Sequence, residues 1–206
     1  MTVYSWILLA GFGVFFISAL VMFFTTLLKK GINDPAVAKG KISSAIAYSF
    51  TSAMSPLKKE SAYLHWPTYT AGMIFHIGTF LSFFLLFILF FNINLPVVII
   101  DLAAAFLIIS GISGVLILIK RVIKKELRQL SNPDDYISNI LVTAFQIITG
   151  ATLFFQFSTP LLFVYAAILF LYMPVGKLRH AIYFFTSRIY LGKYFGKRGV
   201  WPAKSH

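Results

Sequence analysis

Between Pro67 and Phe91 there is no Asp, Glu, Lys or Arg, and the same is true from Tyr4 to Leu28 and from Tyr136 to Phe157. At 1.5 Å of rise per residue, each run is long enough for one helix to cross a hydrocarbon core of about 30 Å. Inside lipid the backbone must satisfy its own hydrogen bonds, so such runs fold as helices. A further apolar run from Val97 to Ile119 contains only Asp101 and ends at Lys120-Arg121. Another starts near Pro160 and passes Tyr172 into Met173-Pro174-Val175-Gly176-Lys177-Leu178-Arg179-His180. The expectation is an all-α integral membrane bundle forming a single domain over residues 1–206. Its five transmembrane helices are placed at about 4–28, 67–91, 97–119, 136–157 and 160–184. The fourth follows a helix-start signal, Ser131-Asn132-Pro133-Asp134. The first lacks a preceding basic segment and is longer than a secretory signal's apolar region, so it reads as a retained span.

The net charge of +12 would point to nucleic acid if the cations were spread out, but they are segregated. Lys29, Lys30, Lys39, Lys41, Lys58 and Lys59 fall in the first loop. Lys120, Arg121, Lys124, Lys125 and Arg128 fall in the third, and the rest lie from Lys177 onward. The connections near 92–96 and 158–159 carry none. Lys and Arg accumulate in short cytoplasmic loops, so the N-terminus is expected outside and the C-terminus in the cytoplasm, in the inner (cytoplasmic) membrane. Topology accounts for the basic residues, and no nucleic-acid partner is expected. The 59% hydrophobic content and 23 Phe exceed what one soluble core hides, which makes lipid a partner.

The first cytoplasmic loop is longer than a connector needs to be. Asp34-Pro35 opens a stretch in which Ile42, Ile46, Phe50 and Met54 recur every four residues. The pattern predicts an interfacial helix over 35–54, lying on the bilayer or serving as a docking surface for a cytoplasmic partner. There is no cysteine, which excludes disulfides, thiolate-bound iron–sulfur clusters and haem attached through Cys-x-x-Cys-His.

Of the four histidines, His76 and His180 fall in expected membrane helices. An imidazole in hydrocarbon must be hydrogen-bonded or coordinated, and neutral imidazole is a good axial ligand for haem iron. His76 lies about six residues inside the charge-free run from Thr70, roughly 9 Å along the axis from its cytoplasmic end. His180, just beyond Lys177, also lies toward the cytoplasm. The expectation is one non-covalently held b haem with His76 and His180 as axial ligands. Lys177 and Arg179 stand near the level at which propionates meet the headgroups, or else act as snorkelling anchors.

These residues resemble the gamma, or cytochrome b, subunit of respiratory nitrate reductases, with its relatives in membrane complexes of sulfur metabolism and heterodisulfide-reductase type. Phe75-His76-Ile77-Gly78 is similar to that family's Phe-His-Ile-Gly. Ser113-Gly114-Val115-Leu116 followed by Lys120-Arg121 is similar to its third helix and exit, and Gln146 with Gly150 to its fourth. Pro174, Lys177, Leu178 and His180 resemble its Pro-Phe-x-Arg-Leu-x-His, followed by the aromatic and basic tail from Tyr183 to Lys197. The resemblance covers most of the chain from the second helix onward. It implies quinone or quinol as diffusible substrate, docking to cytoplasmic iron–sulfur and catalytic subunits of one complex, and an electron-transfer subunit that is not catalytic alone. Arg121, Gly78 and Gly114 join Lys177 and Arg179 as candidate haem contacts.

The family's nitrate reductase members hold two haems with four His, but here Leu86 and Leu162 stand at the places of the outer pair. The resemblance therefore implies a single haem on the cytoplasmic side. His65 is eleven residues before His76, so on a continuous helix both would face one way. It reads as a second ligand or, beside Trp66, as part of an aromatic belt or a quinone mouth. Gly72, Gly78, Ser110, Gly111, Ser113 and Gly114 permit close approach of helices or of a flat macrocycle. Gln146 is expected to hydrogen-bond between helices, and Asp101 to complement a helix dipole. The different-class alternative is a haem-free anchor or small transporter whose histidines are simply hydrogen-bonded. Against a transporter stand the absence of clear intramembrane charges, broken helices and inverted repeats.

Overall fold

A computed structural model describes residues 2–28, 36–55, 65–155 and 158–202. Lys29, Lys30, Asp34, Pro35, Lys58, Lys59, Phe157 and His206, all part of the sequence reading, lie outside them. Among the described residues the secondary structure is helical. The helices are α1 (Val3–Leu28), α2 (Ile42–Phe50), α3 (Trp66–Phe90), α4 (Val97–Ile123), α5 (Lys125–Gln129), α6 (Pro133–Phe154), α7 (Thr159–Tyr172) and α8 (His180–Lys197), with 3₁₀ turns at Ser52–Met54 and Lys177–Arg179. Four of them, α1, α3, α4 and α6, are long and apolar enough to cross a membrane, and the count reaches five if α7 and the segment 177–197 form one interrupted span. This makes the chain a multi-pass membrane protein.

The fifth helix is not the continuous 160–184 rod read from the sequence. Proline has no N–H to continue the ladder, and at Pro174 the chain turns, with Val175 and Gly176 both donating their N–H to the Tyr172 carbonyl. The Tyr172 ring fills the space a side chain on Gly176 would need. At 14 residues, or about 21 Å, α7 alone is shorter than a hydrocarbon core.

The chain divides into two compact units, residues 1–16 with 66–178 and residues 17–65 with 179–206. In the first, Phe145, Leu162, Ala166 and Leu169 are fully buried. Phe170 holds Phe12 edge-on at 5.3 Å and stacks on Phe83 at 5.5 Å. Lipid is as apolar as these side chains, so small residues and hydrogen bonds must bring the helices together. Gly78 of α3 abuts Ser110 of α4, Gly111 abuts Ile147 of α6, and Gly114 abuts Thr143 and Phe75. Gly72, expected to share this role, has open space where a side chain would go.

In the second unit α2 packs on α8. Gly192 meets the Ile46 backbone and Gly196 meets Ala45 and Ile42. Ser49 Oγ donates to the Arg188 carbonyl at 2.9 Å, and Lys39 N–H to the Lys197 carbonyl at 2.7 Å. Phe50 lies edge-on to Phe184 at 6.1 Å. The expected interfacial helix is therefore shorter than 35–54, and the side of it bearing Ile46 and Phe50 is taken up by α8, a partner that local periodicity does not reveal.

Candidate functional site

Three contacts fix the rotation of α3. Ser110 Oγ donates to the Ile74 carbonyl at 2.9 Å, while Gln146 Nε2 donates to the Phe75 carbonyl at 3.0 Å and to Thr79 Oγ1 at 2.8 Å. Gly78, Ser82 and Leu85 are buried on this seam. At about 100° per residue they lie roughly 180–240° round the helix from residue 76, so the seam aims His76 to the opposite side. His76 is exposed there, on a stripe with Met73, Phe80 and Phe87. It is the one imidazole on a stripe otherwise made of apolar and aromatic side chains.

The Gln146 amide orientation follows from its partners. Turned over, its oxygen would oppose the Phe75 carbonyl, which already accepts from Thr79 Oγ1 at 2.8 Å. Gln146 Oε1 is left without a donor inside the seam, as is Ser82 Oγ. The interhelical role expected of Gln146 is borne out.

His180 opens α8 and is exposed. It stands after the break at Pro174 and belongs to the second unit, whereas His76 belongs to the first. His180 thus follows the break rather than continuing α7, and the two histidines belong to different units. His65 is an exposed turn residue outside α3, and the exposed Trp66 begins that helix. The argument that His65 and His76 share a helical face thus lacks its first residue.

Two of the cations offered to propionates have a partner in the chain. Asp135, nearly buried, accepts from Lys177 Nζ and has Arg121 Nη1 at 3.6 Å. Arg121 also donates to Ser131 Oγ at 2.9 Å. Asp135 is in turn locked into a capping box with Asn132, both bonds 3.0 Å long, and Tyr172 donates to Asp134. Arg179, in its 3₁₀ turn, is exposed. Gly78 and Gly114, offered as haem contacts, are consumed by helix packing. This carboxylate lock is what the sequence reading missed, although two adjacent acids following the basic stretch from Lys120 to Arg128 were a signal for it.

At the far end of α3, Leu86 and Leu162 are 3% and 0% exposed within the core cluster. Beside them an entirely apolar cavity of about 180 Å³ is lined by Leu8, Phe12, Leu86, Phe90 and Phe170. Asp101 is exposed in the second turn of α4. Among the described residues no three His, Asp or Glu cluster in a way that could hold a metal ion, and two imidazoles on one iron need no such cluster.

Comparison of the chain with family profiles, with curated proteins and with solved structures returns no match. The class defined by fold and site is a multi-pass helical membrane protein with one histidine on an exposed apolar face and a second at a helix start.

Proposed function

We propose that the chain is a cytochrome b-type membrane subunit of a respiratory oxidoreductase. It passes electrons between membrane quinone or quinol and a cytoplasmic iron–sulfur partner through one b haem held by His76 and His180. The proposed topology has five crossings, with the N-terminus outside and the C-terminus in the cytoplasm of a cell with this subunit in its inner membrane. The observation that carries the reading is the placement of His76: hydrogen bonds and Gly78 lock the far side of α3, and the imidazole is left on an exposed stripe of Met73, Phe80 and Phe87.

The donor chemistry fits the group. Neutral imidazole suits haem iron, and without cysteine non-covalent binding is the route left for haem in this chain. When bound, the haem iron would take up and release single electrons. The chain's part is to hold each ring by its own helix, to keep water off with the flanking Phe and Met side chains, and to offer Arg179 to an anionic carboxylate. Leu86 and Leu162, packed in the core where the resembling family has its outer ligands, support one haem rather than two.

The test is a reduced-minus-oxidised visible spectrum of the purified chain with its haem-to-protein ratio. About one b haem per chain is expected, lost in His76→Ala and in His180→Ala. A chain purified without haem under haem-replete expression, or alanine variants with full haem content, would overturn the proposal. Two haems per chain would bring His65 back as a ligand.

A further inference from the structure

The described residues of the second unit carry charge of one sign. Among them Lys39, Lys41, Arg179, Arg188, Lys193, Lys197 and Arg198 are basic, and there is no Asp or Glu. The cations are interleaved with aromatic rings. Tyr183, Tyr190 and Tyr194 are spaced seven and four residues apart, so they fall within roughly 20° of one line along α8. Arg198 lies 3.6 Å from the Tyr194 ring centre and Lys193 lies 5.8 Å from that of Tyr190. Tyr190 also donates to the Thr26 carbonyl at 2.7 Å, which ties this row to the end of the apolar helix α1. Tyr183, Phe185 and Tyr194 are exposed, and α8 is not by itself apolar enough to count as a membrane span.

From these observations we infer that α2 and α8 from Tyr183 onward, past the end of the fifth crossing, form a membrane-surface unit that binds the headgroups of anionic phospholipid. Tyrosine belts settle at the level where hydrocarbon meets water, and cations beside them meet the phosphates of acidic lipid. The exposed Tyr194 with Arg198 over its ring, and Tyr190 with Lys193, match a surface that is apolar below and anionic above. A purely acidic protein face would match the cations and leave the rings in water. The Gly192 and Gly196 contacts on α2 make the pair a rigid platform, with Lys39 and Lys41 added from the segment leading into α2. The inference does not depend on haem.

The detergent-purified full chain, delipidated, is titrated with phosphatidylglycerol or with phosphatidylcholine of the same acyl chains and read by native mass spectrometry. Phosphatidylglycerol is expected to bind the more tightly, with the preference falling as salt rises. Each cation removed in Lys41→Gln, Lys193→Gln and Arg198→Gln should weaken it about fivefold. The control Lys124→Gln/Lys125→Gln/Arg128→Gln, in the other unit, should leave it unchanged. Equal binding of both lipids, a preference indifferent to salt, or loss in the control rather than in the α2–α8 variants would overturn the inference. So would α2–α8 variants that keep the lipid preference and instead lose an acidic partner protein. The salt dependence of the wild-type chain keeps the test decisive if a variant fails to fold.

Discussion

Asp135→Ala should be among the most destabilising single changes outside the apolar core, and its magnitude can be worked from the contacts. The carboxylate is 5% exposed and serves two structures at once. It completes the capping box with Asn132 at the start of α6, a contribution of about 1 kcal/mol. It also takes the charge-assisted bond from Lys177 and neutralises Arg121, and breaking a bond to a charged group costs about 2 kcal/mol. The expected loss is therefore about 3 kcal/mol. Asp135→Asn retains an oxygen for the Asn132 N–H while removing the charge, so it should lose only about 2 kcal/mol of this. Unfolding of the purified chain in mixed micelles by SDS titration, followed by far-UV circular dichroism, measures both. A Lys177→Gln partner completes a double-mutant cycle, in which a coupling of about 1 kcal/mol or more is expected. An Asp135→Ala change within about 0.5 kcal/mol of wild type, or zero coupling to Lys177, would refute the lock, since a surface ion pair contributes little more than that.

Two further outcomes follow from glycine contacts. Gly78→Ala should destabilise the chain by several kcal/mol in the same SDS titration because its methyl group meets Ser110 and the Gln146 oxygen, whereas Gly72→Ala, in open space, should be neutral or stabilising by up to about 1 kcal/mol. Gly196→Val should pry α2 from α8, and limited proteolysis should then cut near residues 36–41 faster than in wild type while α3 to α6 stay protected.

Four of the spans were legible within a few residues because a charge-free run of such length has one stable fold in lipid. Asn132-Pro133 marked the start of α6 through local chemistry, a cap followed by a residue with φ already helical. The break after Tyr172 was not read, although Pro174 and Gly176 both stood in the sequence, because the surrounding residues stay apolar and hydropathy cannot see a missing N–H. Ile46 and Phe50 disclosed an amphipathic helix but not its cover, since Gly192 and Gly196 lie more than a hundred residues away in the chain and signal only the absence of a side chain. Gln146 was legible because a buried amide in lipid requires partners. Its particular ones, a backbone carbonyl and Thr79, depend on how α3 rotates, and pattern alone does not set that. Asp135 was passed over because a carboxylate near a loop looks like a cap until the cations folded back on it are known.

The measurement closest to the central claim is low-temperature electron paramagnetic resonance of the oxidised, purified chain. Two imidazoles on one iron give a low-spin ferric signal. In His180→Gly that signal should be lost with the haem, and haem supplied together with free imidazole should restore it. A low-spin signal untouched by removal of either His76 or His180, or a chain that carries no iron signal at all, would contradict the account.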